Sequence, residues 1–177
     1  VIVRFPAHRL SARFPDAGRE EALWRRIKIE YIGLLYEVEH KQPEYLALNP
    51  NGRVPALLLD GRPVYESAAL VTLLAERHPE AQLSPAPSSL ERANYLQWMF
   101  HLSNTVQPAF RQWFYPDEAA GAAHSDAAKE TVRPQIEAAW DRVVAHLASS
   151  GPWMCGQSIT ALDFLATMLM RWSRNMP

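Results

Sequence analysis

The pattern of hydrophobic and polar positions divides the chain into two halves. In the first half, short apolar runs at residues 1–5, 34–38 and 56–59 alternate with turn residues and predict strands. Trp24, Ile27 and Tyr31 recur at helical spacing and predict a helix that ends at Gly33. A short helix at 43–48, a hairpin closed by Asp60-Gly61 and a helix after Ser67 complete the series. The order strand, helix, strand, helix, hairpin, helix is that of a thioredoxin-like unit.

The second half is helical in every periodic segment. It follows a stretch rich in proline and serine between residues 79 and 89, which has the composition of a linker. One predicted helix has an apolar face through Met99, Leu102, Val106, Phe110 and Trp113, with a kink expected at Pro108; the next has Ile136, Trp140, Val143, Val144 and Leu147. We therefore predict an α/β domain of thioredoxin-like fold at residues 1–80, a linker at 81–89 and an all-α helical bundle at 90–177.

The last helix of this half has a capping motif at its start. Gly156, Thr160 and Asp163 have the spacing in which Thr160 and Asp163 cap a helix reciprocally. Phe164, Leu165, Met168 and Leu169 then make the helix strongly apolar, and we expect it to be central to its domain.

Composition and charge exclude several classes of protein. The formal charge of −1 comes from 18 basic and 19 acidic residues spread almost evenly, which excludes nucleic acid and anionic membranes as primary partners. Apolar runs are too short to span a bilayer and no leader opens the chain, so we expect a cytoplasmic protein. Cys155 is the single cysteine and forms no internal disulfide; it reads as a small buried hydrophobe, with a catalytic thiol as the alternative. No metal site is predicted.

Residues 49–67 carry the strongest chemical signal. Asn-Pro and Asn-Gly turns precede Val54-Pro55, where we predict a cis peptide that turns the Val54 backbone outward to pair with an extended peptide. Glu66 and Ser67 lie at a helix N-terminus, where Ser67 and backbone N–H groups favour a carboxylate and Glu66 accepts from an ammonium. This stretch predicts a receptor for a short zwitterionic peptide.

The order Asn-Pro, Gly, Val-Pro, apolar strand, Gly turn, Glu-Ser, apolar helix resembles the glutathione-binding half of the glutathione S-transferases. The resemblance implies that Val54 and Pro55 present the backbone that pairs with the cysteinyl residue of glutathione. It implies that Glu66 and Ser67 hold the γ-glutamyl end. We expect Arg53 or His40 to bind the glycine carboxylate, since both can carry positive charge. Glutathione would be the co-substrate, and the resemblance also implies a homodimer.

Transferase chemistry needs a hydrogen-bond donor near the glutathione sulfur, because such a donor favours thiolate. Residues 5–13 resemble the segment that carries a catalytic serine in several classes of the family, which makes Ser11 the candidate. Aligning residues 26–33 with the family's first helix instead places Ala22 and Leu23 at the donor position, and neither side chain can donate. In that case a backbone N–H near residues 22–24 would stabilise the thiolate.

The other substrate would bind the first long helix of the second half. There Trp98, His101, Asn104 and Gln107 mix aromatic bulk with polar groups, as small-molecule pockets do. The predicted function is attack of the glutathione thiol on a small hydrophobic electrophile, or a related reduction, isomerisation or dehalogenation. The alternative is a non-catalytic ligand-binding or protein-interaction module, which is favoured by the missing donor side chain at Ala22 and Leu23.

Overall fold

The computed structural model of the chain describes residues 29–31 and 39–176. The chain divides into two compact units, Val1–Leu70 and Val71–Pro177. The predicted strands at 1–5 and 34–38 and the candidate Ser11 lie outside the described residues. The predicted domain limits, with a linker at 81–89, remain a prediction.

The first unit contains an antiparallel sheet whose described strands are β1 (Ile29–Tyr31), β2 (Ala56–Leu59) and β3 (Arg62–Tyr65), in that order. Ile29 lies opposite Leu59 in the register of β1 and β2. The predicted helix through Tyr31 is therefore wrong at residues 29–31. Two apolar residues flanking Glu30 fit the two-residue period of a strand as well as a helical spacing.

The predicted hairpin between β2 and β3 is confirmed. Asp60 and Gly61 both have positive φ, 50° and 77°, as the tightest two-residue hairpin turn requires. Helix α1 (Pro43–Leu46) confirms the predicted short helix and follows a 3₁₀ turn at Glu39–Lys41. Tyr45 of α1 and Ala56 of β2 are buried together, with Leu48, Leu58 and Tyr65 packed around them. This small core sets the position of the loop between α1 and β2.

The longer helices start where β3 ends. Helix α2 (Ser67–Arg77) directly follows Glu66, and a 3₁₀ turn at Pro79–Ala81 comes after it. The remaining elements are α3 (Glu91–His101), a π-helical turn (Leu102–Val106), α4 (Gln107–Phe114), α5 (Asp117–Ala120), a 3₁₀ turn (Ala122–His124), α6 (Ser125–Ser150), α7 (Ala161–Trp172) and a 3₁₀ turn (Ser173–Asn175). Where a kink was predicted at Pro108, the structure has the π-helical turn immediately before it. Pro108 has no N–H to donate to the carbonyl of Asn104, so a regular helical bond is impossible there.

The core of the second unit is built from α3, the π-helical turn, α4, α6 and α7. Its fully buried side chains include Tyr95, Met99, Leu102, Val106, Phe110, Leu162 and Leu169. The apolar face predicted for α3 and α4 is therefore mostly buried. Val144 was expected in the stripe of α6 but is 63% exposed, and Phe164 of α7 is 55% exposed. Helical spacing identifies which residues form an apolar stripe, but the neighbouring helices determine which of those residues are buried.

The predicted cap of α7 is formed by the Asp163 carboxylate. One oxygen accepts from the Thr160 N–H at 2.7 Å and from the Thr160 hydroxyl at 3.1 Å. The other oxygen accepts from the Met154 N–H at 2.9 Å. Asp163 thus caps the helix and also holds the preceding loop, and both it and Thr160 are buried. Of the helices that the structure describes, none combines the length and apolar character needed to cross a bilayer.

Candidate functional site

The register of the hairpin brings the two halves of the predicted site together. Ala56 is opposite Tyr65, so Val54 and Pro55, which precede β2, lie at the same end of the hairpin as Glu66 and Ser67, which follow β3. All four residues belong to the first unit. The two pairs are twelve positions apart in the sequence, and the hairpin brings them to one end of the sheet.

Val54 lies at the surface of the first unit. The Val54–Pro55 peptide is cis, as predicted. Val54, two residues before β2, is 55% exposed. An extended ligand therefore has access to the chain at this point.

The loop before Val54 is held by two buried side chains. The carbonyl oxygen of Arg53 accepts a hydrogen bond from the Tyr45 hydroxyl and another from Asn49 Nδ2, the latter at 2.7 Å. Asn49 also accepts from the Asn51 N–H at 3.2 Å through its Oδ1 atom. Its own carbonyl accepts from the Gly52 N–H at 2.9 Å. Asn49 thus organises the whole turn.

Sequence reasoning missed Tyr45 and Asn49. A signal for Asn49 was present, because an asparagine that opens a turn commonly bonds the backbone two residues further on. No comparable local signal marks Tyr45, whose partner is eight residues away.

Gly52 is required by the geometry of the same turn. Its φ is +54°, and a Cβ atom there would lie 2.9 Å from Leu46 Cδ2 and 3.1 Å from the His40 carbonyl oxygen. The Gly52 carbonyl accepts from Lys41 Nζ at 3.0 Å. The turn therefore packs closely against the 3₁₀ turn and α1.

Glu66 has a strained backbone at the start of α2. Its φ is +78°, a region that residues other than glycine seldom occupy and that clusters at ligand sites. Its carbonyl accepts from the Leu70 N–H at 2.9 Å, so it takes the N-cap position. The Glu66 side chain is exposed, and within residues 39–176 its carboxylate has no hydrogen-bond partner. Ser67, half-buried, is the first residue of the helix, where unpaired backbone N–H groups favour an anion.

The two candidate cations for a carboxylate lie in the same unit. Arg53 is adjacent to Val54 and its side chain is exposed. His40 is half-buried in the 3₁₀ turn that packs against Gly52. Their role in binding remains a prediction. The thiolate-stabilising candidates, Ser11 and the backbone of residues 22–24, lie outside the described residues.

The four candidates for the electrophile site lie on α3, the π-helical turn and the start of α4. The Trp98 ring stacks on His146 with centroids 4.2 Å apart and meets the His101 ring edge-on at 5.1 Å. His101 Nε2 is 3.2 Å from the Ala139 carbonyl oxygen. The structure thus brings Trp98 and His101 together against α6.

The two polar candidates are placed differently. Asn104 is exposed in the π-helical turn and accepts from the Ser103 hydroxyl at 3.1 Å, and Gln107 is half-buried. Whether any of the four contacts a substrate stays a prediction.

Cys155 is half-buried, and burial raises the pKa of its thiol. A raised pKa keeps sulfur protonated at neutral pH, which argues against a nucleophilic role. In the described part of the chain, no group of three His, Cys, Asp or Glu residues could hold a metal ion.

An open apolar groove of about 660 Å³ runs beside α7. It is lined by Trp153, Ile159, Asp163, Phe164, Thr167, Met168, Arg171 and Trp172. None of the predicted site residues lies in it.

Comparisons with known proteins identify relatives of this chain. The family model for the glutathione S-transferase N-terminal domain matches residues 18–82. The chain is 33% identical over 131 residues to glutathione S-transferase GstA of Escherichia coli O157:H7, an alignment covering 73% of this chain and 62% of that protein. It is 32% identical over 154 residues to the glutathione S-transferase-like protein gedE of Aspergillus terreus, covering 77% of this chain and 67% of that protein.

Among solved structures, a glutathione transferase homologue from Sulfitobacter with bound glutathione matches with a TM-score of 0.69 at 28% identity, covering 76% of this chain and 65% of that one. This likeness confirms the predicted thioredoxin-like plus helical fold. The chain spans less than two thirds of the length of GstA. The 32% identity to gedE, of which the chain covers 67%, and the family-model match at residues 18–82 identify the chain as a member of the glutathione S-transferase superfamily.

Proposed function

We propose that this protein binds glutathione and activates its thiol for attack on a small hydrophobic electrophile. The observation that carries the proposal is the hairpin register, which sets the exposed Val54 at the same end of the hairpin as Glu66 and the start of α2. Glutathione is an extended tripeptide with an ammonium and a carboxylate at its γ-glutamyl end. The site offers a matching group for each feature.

The roles follow from the chemistry of the groups. The Val54 backbone, next to Pro55, pairs with the cysteinyl residue as an added strand. The carboxylate of Glu66, which has no hydrogen-bond partner within residues 39–176, accepts from the γ-glutamyl ammonium. Ser67 and the first N–H groups of α2 bind the γ-glutamyl carboxylate. The exposed Arg53, or His40, binds the glycine carboxylate at the other end.

The thiol is activated by a hydrogen bond to the sulfur. Ser11 is our proposed donor, with a backbone N–H near residues 22–24 as its competitor. If Ser11 donates, Ser11→Ala raises the pKa of the bound thiol and slows conjugation by roughly 10–100-fold, as loss of one hydrogen bond to a charged group does. If Ser11→Ala turns over as fast as the wild type, the donor to the sulfur is instead the backbone N–H near residues 22–24.

The electrophile binds near Trp98, His101, Asn104 and Gln107. The π-helical turn between His101 and Gln107 supports this placement, because such turns recur at functional sites. The resemblance to the family further supports a cytoplasmic homodimer.

The binding claim is tested by calorimetry with S-methylglutathione, which cannot react. A charge-assisted hydrogen bond contributes about 1.5–3 kcal/mol, so Glu66→Gln and Ser67→Ala each weaken binding about tenfold or more. Glu44→Gln, an exposed glutamate of α1, is the matched control and should bind as the wild type does. Wild-type affinity in both site variants would refute the assignment. Binding without any change in the thiol pKa of glutathione would favour the non-catalytic module.

A further inference from the structure

The Arg53 carbonyl is an unusual acceptor in the loop before Val54. Both of its acceptor positions are filled by side-chain donors, the Tyr45 hydroxyl and Asn49 Nδ2. These two side chains are 5% and 2% exposed. A polar group buried this deeply almost always has a hydrogen-bond partner. Here the two buried side chains share one partner, the Arg53 carbonyl oxygen.

The consequence concerns the next residue, because Arg53 C=O and Val54 N–H belong to one peptide unit. The Arg53–Val54 peptide is trans, so its C=O and N–H point in opposite directions. With the carbonyl held inward by two donors, the N–H of Val54 is directed away from the buried side chains. Val54 itself is 55% exposed.

A peptide unit in a glycine-containing turn can rotate between two orientations that exchange C=O and N–H. In the opposite orientation the Arg53 carbonyl would turn away, and the Tyr45 hydroxyl and Asn49 Nδ2 would both lose this acceptor in a buried place. Tyr45 and Asn49 therefore select one orientation of the peptide before any ligand arrives.

We propose that Tyr45 and Asn49 are positioning residues for glutathione: they hold the Arg53–Val54 peptide so that the Val54 N–H is already aimed at the cysteinyl carbonyl. The inference rests on the proposed glutathione binding. It adds that part of the affinity comes from two buried residues that do not touch the ligand. Preorganisation of this kind strengthens binding by removing the cost of ordering the loop.

Two conservative variants of the full chain test the proposal. Asn49→Asp keeps the size and the Oδ1 acceptor but replaces the donor by an oxygen that faces the Arg53 carbonyl. Tyr45→Phe removes only a hydroxyl and keeps the buried ring. Tyr45→Phe removes one neutral hydrogen bond and should weaken S-methylglutathione binding by about threefold to tenfold. Asn49→Asp should weaken binding by at least as much, because it also sets a carboxylate oxygen against the Arg53 carbonyl, and the double variant should bind more weakly than either.

Lys41→Met is the matched control within the loop. It removes the bond to the carbonyl of Gly52, the neighbouring residue, and leaves the Arg53 carbonyl untouched. At raised salt, which screens the lost charge, its affinity should stay within about twofold of the wild type.

A second measurement separates positioning from mere stability. In the wild type, S-methylglutathione should protect the Val54 amide from hydrogen exchange about tenfold or more, as a ligand bond to this N–H requires. In Tyr45→Phe and Asn49→Asp, with ligand at saturation, this protection should fall at Val54 but not at amides of β2. Melting curves establish that each variant is folded.

The outcomes distinguish the two proposals. If the wild type does not bind S-methylglutathione, the proposed function falls and this inference with it. If the wild type binds but Tyr45→Phe and Asn49→Asp bind equally well, with the Val54 amide protected as before, only the inference is overturned. If Asn49→Asp does not fold, Tyr45→Phe decides alone: weakened binding supports the inference, and unchanged binding refutes it.

Discussion

Removal of the Asp163 carboxylate should be among the most destabilising single changes in the second unit. Asp163→Ala leaves the N–H groups of Met154 and Thr160 without their acceptor in a site where Asp163 is 8% exposed. Each buried donor left unsatisfied costs about 1–3 kcal/mol, so we expect the free energy of unfolding to fall by about 3–5 kcal/mol. That is a large part of the ~5–15 kcal/mol that holds a typical protein folded.

Urea denaturation followed by circular dichroism measures this loss directly. For a chain of this size, the melting temperature should fall by about 2–4 °C per kcal/mol, or about 6–20 °C in all. Asp163→Asn keeps one acceptor oxygen and should lose about half as much free energy.

The exposed Asp141 of α6 provides the matched control, and Asp141→Ala should change stability by no more than about 0.5 kcal/mol. Glutathione affinity per folded molecule should be unchanged in Asp163→Ala. The reasoning fails if Asp163→Ala is as stable as Asp141→Ala.

Two further predictions concern Gly52 and Cys155. Gly52→Ala combines a positive φ with a Cβ atom 3.1 Å from the His40 backbone oxygen and 2.9 Å from the Leu46 side chain. It should lower the free energy of unfolding by about 1–2 kcal/mol more than Gly61→Ala, which has a positive φ but no atom within 4 Å of the added carbon. Equal losses in urea denaturation would contradict the packing argument. Burial raises the pKa of the Cys155 thiol in the folded state above its unfolded value of about 8.5. The protonated thiol therefore contributes fully to stability below pH about 8.5, and this contribution is lost as pH rises through the folded-state pKa. The wild type should therefore lose more stability than Cys155→Ala as pH is raised above about 8.5, and parallel pH profiles of urea denaturation would refute this.

The sequence predicted the features that depend on local chemistry. Asp60-Gly61 specified the hairpin turn because both residues tolerate positive φ, and Asp163 specified a cap by its spacing from Thr160. Val54 was identified through its place in a motif.

Features that depend on contacts across the fold were not predictable in the same way. The bond from Tyr45 to the Arg53 carbonyl depends on how α1 lies against the loop, which no periodicity encodes. The strand at Ile29–Tyr31 was missed because three residues cannot distinguish the helical from the extended period. The exposure of Val144 depends on which neighbours cover α6.

The central claim, that this protein binds glutathione and activates its thiol, is tested most directly by titrating the bound thiol. Thiolate absorbs in the ultraviolet, so a pH series of glutathione saturated with the full chain gives the pKa of the bound sulfur. The account predicts a pKa well below the ordinary thiol value of about 8.5, with at least about tenfold more thiolate at neutral pH than in free glutathione. A bound thiol that titrates like free glutathione, or glutathione that does not bind, would contradict it.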